Sequence, residues 1–313
     1  MSILSSARVF RCFATTLSVA LVSVSEGREF ARVAVIGAGY LGAELALRLS
    51  TIAPVFATTR SGSLETAGAC GLEVRPLDVI RDGDAQVSAA LEGAQALVIC
   101  MAAGRHQDRR ALYVKGTGRI LDAFSPDQKD MSIGSCRVVY ISSTSALAEV
   151  EGPVDEEDER WPSSERGRVQ REAEELVQAR ARVCSWPWMV LRLGGLYGPG
   201  RGLGRIYRPD SEEPLPGDGM QATNLIHRED AIQAVIAALR APPELSARIH
   251  VCDDDHRPRR QIYALLAESK GWPPPRWREA PKSAEARGKR VVNRRLGELL
   301  GVELRQPTHL LGE

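Results

Sequence analysis

The chain lacks the cysteine and histidine spacings that mark metal and redox sites. Its cysteines are scattered without any C-x-x-C pair, and we expect most of them to be reduced thiols in the core. They are Cys12, Cys70, Cys100, Cys136, Cys184 and Cys252. His250, Cys252 and His256 lie near three consecutive aspartates, but no H-E-x-x-H pattern or second cysteine pair accompanies them. The sequence therefore predicts no bound metal.

An excess of one charge and a long apolar run are missing as well. The 313 residues include 41 basic and 40 acidic side chains, a balance that gives no overall field for nucleic acid or a membrane surface. The apolar run Leu17–Val24 is short and interrupted by Ser18 and Ser23, so it is a poor transmembrane span. At 43% hydrophobic and 26% charged residues, the chain is globular, with one large core or two lobes sharing a cofactor cleft. We expect a small-molecule substrate as its partner rather than nucleic acid or membrane, and the sequence leaves a homodimer open.

Residues 1–28 differ from the rest and are interpreted as a leader that precedes a folded domain at residues 29–313. The segment contains Arg8 and Arg11, several hydroxyl residues and no acidic residue before Glu26. This composition is typical of an organellar transit peptide, for a plastid or a mitochondrion. A secretory signal and an inert extension of a cytoplasmic protein are the competing interpretations, although the scattered cysteines do not favour export.

Residues 33–42 read Val-Ala-Val-Ile-Gly-Ala-Gly-Tyr-Leu-Gly, an apolar run that leads into a G-x-G-x-x-G turn. The β-branched run predicts a buried parallel strand, and Ala43–Leu49 continues with helix-forming residues. In such a unit Gly37 allows the tight bend, Gly39 lets backbone approach a pyrophosphate, and Gly42 lets the helix pack against the strand. The phosphates then meet the free N–H groups at the start of the helix. The pattern predicts a dinucleotide site, with an ordinary glycine turn as the alternative.

The end of a second predicted strand, Pro54–Arg60, bears on which dinucleotide is bound. A site for NAD usually places Asp or Glu here, whereas a small residue followed by Arg accommodates the 2′-phosphate of NADP. This chain has Thr59, Arg60 and Ser61 and no carboxylate. NADP is therefore favoured, NAD is possible, and a solvated Arg60 without a ligand is the structural alternative.

Strands and helices alternate along the chain, and this predicts an α/β fold with a doubly wound parallel sheet. Further strands are predicted at Leu72–Val79, Ala96–Met101, Arg137–Ile141 and Trp188–Leu193, and helices at Arg109–Phe124 and Arg166–Ala181. The carboxyl ends of the third and fourth strands should face the adenosine of the dinucleotide. We expect the cofactor contacts to be Gly37, Gly39, Tyr40, Leu41, Gly42, Thr59, Arg60, Asp78, Ala102 and Ala103.

A set of motifs in a fixed order gives the chain a specific resemblance. They are the glycine turn, Asp78, Ala102–Gly104, Gly116–Ala123, Tyr140–Thr144, Arg192–Gly200 and Asn224–Asp230. This order resembles the extended short-chain dehydrogenase/reductase family, the NAD-dependent epimerase/dehydratase group, over roughly residues 31–255. The resemblance implies a Rossmann-type core at about residues 31–193 and 224–252. It also implies a small C-terminal substrate lobe at about residues 194–223 and 253–313.

The chain departs from this family at the residues that carry its chemistry. The resemblance implies catalysis by a Ser or Thr, a Tyr that acts as general acid/base, and a Lys that lowers the pKa of the Tyr. Ser143 falls on the serine position, but Arg166 and Gln170 stand where Tyr-x-x-x-Lys is expected. No tyrosine in the chain is followed by lysine four residues later, and Tyr113 replaces the accompanying Asn. We therefore predict Ser143 as a catalytic residue and a proton donor of another kind.

The substrate end carries a second departure. Members that act on nucleotide sugars carry Asn where this chain has Gly195, so a nucleotide sugar is not the first choice. We expect the substrate pocket at the carboxyl end of the sheet, where ligands of open α/β folds bind. Its candidate residues are Thr144, Tyr197, Arg201 and His227. The alternative role of Tyr197 and His227 is packing and hydrogen bonding in the lobe. The alternative for Arg201 is a solvated position without a ligand.

Two functions of different classes follow from this sequence. The first is an atypical NAD(P)-dependent oxidoreductase that acts on a small carbonyl or hydroxyl compound, with NADP favoured. The second is a non-catalytic NAD(P)-binding sensor, or a regulatory or RNA-associated protein of the same fold. An enclosed pocket beside the nicotinamide position would favour the first, and a basic groove around Lys282–Arg295 would favour the second.

Overall fold

The structure, a computed structural model, describes residues 32–126, 136–203 and 213–305. The predicted leader, residues 1–28, lies outside the described residues. The strands are β1 (Val33–Ile36), β2 (Val55–Thr59), β3 (Glu73–Pro76), β4 (Ala96–Ile99), β5 (Val138–Ser143), β6 (Gly152–Val154), β7 (Trp188–Leu193), β8 (Gly195–Tyr197), β9 (Leu225–His227), β10 (Ala247–Val251) and β11 (Lys289–Val291). The α-helices are α1 (Gly42–Leu49), α2 (Ala67–Cys70), α3 (Asp84–Leu91), α4 (Thr117–Ala123), α5 (Glu165–Val183), α6 (Arg228–Arg240), α7 (Arg259–Lys270) and α8 (Arg294–Leu300).

The central sheet has the strand order β10-β7-β5-β4-β1-β2-β3, and all neighbouring strands in it run parallel. The interior strand β1 is buried along its whole length, as its continuous apolar sequence requires in a sheet covered on both faces. Val33 and Val35 pack into one apolar layer, and Ala34 and Ile36 into the other. Successive side chains of a strand point to opposite faces, so β1 joins the two halves of the core.

Helices cover each face of this sheet. Helices α1 and α6 contribute Leu45, Leu49 and Val235 to one layer. Helices α3, α4 and α5 contribute apolar side chains such as Ile120 and Val177 to the other. Helix α4 is preceded without a break by a π-helical segment, Ala111–Gly116. This arrangement confirms the predicted Rossmann-type doubly wound sheet.

The seventh strand, β10, was not predicted. Its sequence, Ala-Arg-Ile-His-Val, places Arg248 and His250 between apolar residues and therefore lacks the continuous apolar run of a buried parallel strand. Both polar side chains have partners within the chain. Arg248 pairs with Glu159 and Glu175, and His250 is fully buried beside Arg192.

The smaller part of the molecule is built from short elements beside the sheet. Strand β6 pairs with β11, and β8 pairs with β9, each in parallel. Helix α7 packs Ile262, Tyr263 and Leu266 into a separate apolar cluster. No helix in the described ranges is both long and apolar enough to cross a membrane.

Candidate active site

One large cavity, about 1800 Å³ in volume, runs along the carboxyl ends of the parallel strands. Ligands of open α/β sheets bind at this edge. The cavity brings together eleven of the predicted site residues, namely Gly37, Gly39, Tyr40, Leu41, Thr59, Arg60, Asp78, Ala102, Ser143, Thr144 and Arg201. The predicted residues Gly42, Ala103, Tyr197 and His227 are not among those that line it.

The three glycines of the turn meet different constraints. Gly37 has φ +97°, a left-handed conformation, and a Cβ there would come within 3.1 Å of the Met101 backbone. A Cβ on Gly42 would lie 2.3 Å from the Gly37 carbonyl oxygen, so this residue sets the close packing of α1 on the strand. A Cβ on Gly39 would meet nothing within 4 Å. The space beside Gly39 is cavity, which is what the approach of a pyrophosphate requires.

Strand β2 holds the glycine turn in place. The backbone N–H of Gly37 donates to the Thr58 hydroxyl at 3.1 Å, and that of Ala38 donates to the Thr58 carbonyl at 2.8 Å. Gly39, Tyr40 and Leu41 at the start of α1 line the cavity and no side chain caps the helix, so its free N–H groups are available to a ligand there. These residues fit the pyrophosphate of a dinucleotide.

The adenosine end of the cavity is lined by two exposed arginines, Arg60 after β2 and Arg81 after β3. Arg81 was missed by the sequence analysis. It is placed there by Asp78, whose carboxylate accepts the backbone N–H groups of Ile80 at 3.0 Å and Arg81 at 3.3 Å. The sequence signal that could have indicated Arg81 was its position three residues after Asp78, at the end of a predicted strand.

At the other end, Ser143 stands at the carboxyl end of β5 and begins a short 3₁₀ turn, Thr144–Ala146. Its Oγ accepts the backbone N–H of Ser145 at 3.2 Å, so the hydroxyl proton is left to be donated to another group. Arg166 lines the cavity from the first turn of α5. Gly167 allows this approach, because a Cβ there would lie 2.5 Å from the Ser145 carbonyl oxygen.

Gln170 replaces the expected lysine with a neutral hydrogen-bond donor. Its Nε2 lies 3.2 Å from the Tyr140 hydroxyl and 3.3 Å from Ser142 Oγ, and donates to both oxygens. Ser142 Oγ in turn donates to Glu174, a fully buried carboxylate that forms an ion pair with Arg192 at 2.7 Å. Burial raises the pKa of Tyr140 well above its ordinary range. This network therefore braces the end of β5 and supplies no mobile proton near neutral pH.

The cavity also contains a lysine that the sequence analysis did not single out as a site residue. Lys289, the first residue of β11, lines the cavity, and its Nζ donates to the carbonyls of Thr144 at 2.8 Å and Leu147 at 2.9 Å. The nearby carboxylate of Glu149 accepts from the Ser163 N–H and from the hydroxyls of Ser163 and Ser164. These donors lower the pKa of Glu149 to about 2, so it remains charged.

Three other predicted residues have structural roles. Tyr197 and His227 are buried and stack edge to face with ring centroids 5.2 Å apart. His227 Nδ1 accepts the Glu229 N–H and caps α6, and burial lowers its pKa. The backbone N–H of Ala103 donates to the Tyr113 hydroxyl at 2.8 Å, so Ala103 positions a tyrosine that does line the cavity.

A parallel Rossmann sheet with an open phosphate-binding turn defines this chain as a dinucleotide-binding protein. The chain belongs to the NAD dependent epimerase/dehydratase family, whose model matches residues 33–251. It is 30% identical over 287 residues to protein YeeZ of Escherichia coli K12, across 90% of this chain and 98% of that relative. It is also 34% identical over 128 residues to the 3-diazoavenalumate denitrifying reductase of a Streptomyces species, across 39% of this chain and 40% of that relative.

Among solved structures, the UDP-glucuronic acid 4-epimerase of Bacillus cereus in complex with NAD superposes with a TM-score of 0.68 at 19% identity. The alignment covers 89% of this chain and 95% of the epimerase. At this identity the likeness is one of fold. The family is NAD-dependent, which agrees with the dinucleotide end of the cavity.

Proposed function

We propose that the protein is an NADP-dependent oxidoreductase that reduces a small carbonyl compound. The observation that carries the proposal is the single cavity that joins the open glycine turn to Ser143. The family match supports a nicotinamide-dependent activity at this site. The length of the cavity leaves room for a substrate beside Ser143 when a dinucleotide lies along the strand ends.

The preference for NADP is supported by the charges at the adenosine end. Arg60 and Arg81 both line the cavity there, and the side chains of Thr59 and Ser61 add hydroxyl groups. A guanidinium binds phosphate oxygens through charge-assisted hydrogen bonds. Asp78 lines the same region, but its Oδ1 is engaged by backbone N–H groups of the following turn.

The substrate end can bind and orient a carbonyl oxygen. A bound nicotinamide would supply the hydride. Ser143 retains a hydroxyl proton for the substrate oxygen, because its own oxygen accepts from Ser145. An arginine side chain does not release its proton, so we infer that Arg166 binds an anionic group of the substrate rather than transferring a proton. Its neighbours Glu165 and Glu172 are paired with Arg110.

The alternative, a non-catalytic sensor or RNA-associated protein, is favoured by the presence of Arg166 and Gln170 in place of the catalytic pair. The structure gives it less support elsewhere. Several cations of the basic segment 282–295 have acidic partners, and this pairing reduces the positive charge that the segment offers to a nucleic acid. Lys282 pairs with Glu279, Arg287 with Asp218, Arg294 with Glu298 and Arg295 with Glu157.

A cofactor titration tests the proposal. Residues 29–313 should bind NADPH more tightly than NADH, because Arg60 and Arg81 contact the 2′-phosphate. Replacing Arg60 by Ala should reduce the ratio of the two affinities by roughly 5- to 150-fold, the equivalent of about 1–3 kcal/mol. The matched control is Arg182→Ala, because Arg182 is an exposed arginine in the last turn of α5. Equal affinities for the two cofactors in the unmodified protein would refute the preference for NADP.

A turnover screen separates the two functions. NADPH oxidation is measured with a panel of aldehydes, ketones, imines and, because one relative is named for a diazo substrate, diazo compounds. Turnover of any member supports the oxidoreductase. Tight NADPH binding without turnover across the panel favours the sensor.

We also propose that residues 1–28 direct the protein to an organelle, on the basis of their arginines, hydroxyl residues and scarcity of acidic residues. The segment fused to a fluorescent reporter should label plastids or mitochondria. A diffuse cytosolic signal would contradict this proposal.

A further inference from the structure

Lys289 comes from the last part of the chain but lies at the substrate end of the cavity. Strand β11 pairs in parallel with β6, with Lys289 opposite Gly152. This pairing places the Nζ against the carbonyls of Thr144 and Leu147, which bracket the 3₁₀ turn that follows Ser143. Helix α5 packs against the same turn through Gly167. Lys289 is therefore anchored to the turn that also positions Ser143.

The hydrogen-bond count leaves one donor of this lysine for a ligand. An ammonium has three N–H donors and no acceptor. Two of these donors are used by the Thr144 and Leu147 carbonyls, and the side chain lines the cavity. The two carbonyls fix the position of the Nζ, and the third N–H is left for a molecule bound in the cavity.

Several other groups that line the cavity are poorly suited to give a proton. Arginine does not release its proton, and burial raises the pKa of Cys100 to about 12. Glu149 is held in its charged form. Lys289 is the one lysine among the described residues that line the cavity.

We propose that Lys289 is the acid that protonates the substrate oxygen during reduction, in place of the family's tyrosine. This inference rests on the oxidoreductase function proposed above. A bound reduced nicotinamide would supply a hydride to the carbonyl carbon, and the π electrons of the C=O bond would move to the oxygen. That oxygen takes a proton from Lys289 Nζ, which becomes a neutral amine and is reprotonated from solvent. The substrate would thereby be reduced to an alcohol, and the nicotinamide would be oxidised.

The surroundings of Lys289 suit this exchange. Burial lowers the pKa of Lys289, the positive charge of Arg192 lowers it further, and the carboxylate of Glu149 opposes the shift. An acid whose pKa lies closer to the working pH gives up and regains its proton more readily. The backbone carbonyls keep the Nζ in one place through the cycle.

The first experiment uses the full chain and the best substrate of the NADPH oxidation panel. Lys289→Met should lower kcat by about 100-fold or more, within the range for loss of a general acid, with less than a twofold change in NADPH affinity. Lys289→Arg should be similarly impaired, because it keeps the charge but does not release a proton. Lys282→Met, a surface lysine paired with Glu279, is the matched control and should keep full activity. Full activity of Lys289→Arg would overturn the proposal. So would a result in which Tyr113→Phe loses activity and Lys289→Met keeps it.

The second experiment does not depend on turnover. Trace labelling with acetic anhydride over a pH series, followed by peptide mass spectrometry, reports the titration of each lysine in the folded protein. Lys289 should titrate below the ordinary lysine range, and saturating NADPH should change its rate of labelling. An ordinary titration that NADPH does not affect would overturn the role of Lys289, whether or not a substrate has been found. Failure of the turnover panel alone, with the expected labelling, would count against the proposed oxidoreductase instead.

Discussion

Two glycines of the same turn should respond to alanine in opposite ways. At Gly42 a Cβ would lie 2.3 Å from the Gly37 carbonyl oxygen and 2.7 Å from Cys100 Sγ. Neither the turn nor the strand end can move away freely, so Gly42→Ala should cost about 1–3 kcal/mol of folding stability, as other overpacked sites do. At Gly39 a Cβ would contact no protein atom within 4 Å, and the residue is not left-handed. Gly39→Ala should therefore be neutral or stabilise the free protein by up to about 1 kcal/mol.

Cofactor binding should reverse this order. The methyl group of Gly39→Ala occupies the space into which the pyrophosphate must come, and we expect NADPH affinity to fall by about tenfold or more, equivalent to about 1.4 kcal/mol. Urea unfolding without cofactor and NADPH fluorescence titration on the same preparations measure both quantities. Unchanged NADPH affinity in Gly39→Ala would show that the pyrophosphate does not pass this residue. Unchanged stability in Gly42→Ala would show that α1 is not packed as closely as the distances require.

Ser143→Ala should lower turnover by about 10- to 1000-fold, as the loss of one positioned donor does, while Arg166→Gln should raise the substrate KM more than it lowers kcat. Steady-state kinetics on the best panel substrate decides between these patterns, and a kcat loss alone in Arg166→Gln would contradict the binding role. The protein should also lose stability as the pH falls from 6.5 toward 4, because burial and Arg192 lower the pKa of His250 from 6.5 to about 4. In this pH range His250 binds a proton in the unfolded state but not in the native state. The free energy of unfolding therefore falls by up to about 1.4 kcal/mol per pH unit. Burial of His227 acts in the same direction, and urea unfolding with equal midpoints at pH 7 and pH 5 would rule the effect out.

The dinucleotide end was predictable because its determinants are local in sequence. The glycine turn, the strand before it and the helix after it lie within residues 33–49, and the structure gives each glycine a distinct constraint. The sequence also predicted six of the seven sheet strands, and most of these carry apolar, largely buried runs, as β1, β4 and β7 do. Strand β10 was not predicted because its polar residues have partners far away in the chain, and no local sequence pattern reveals such partners.

The substrate end was harder to predict because it is assembled over long sequence distances. Lys289 meets the carbonyl of Thr144, 145 residues earlier, only through the pairing of two three-residue strands. Such short strands carry little periodicity of their own. Tyr197 and His227 follow the family's motifs but turn into the protein, where they pack on one another.

The position of β11 late in the sequence separates the two ends of the cavity along the chain. All seven strands of the sheet and the glycine turn lie at or before Val251. Lys289 reaches the cavity through the later strand β11, which pairs with β6. A variant in which β11 does not pair with β6 should therefore keep the dinucleotide end in place and lose the acid that we propose.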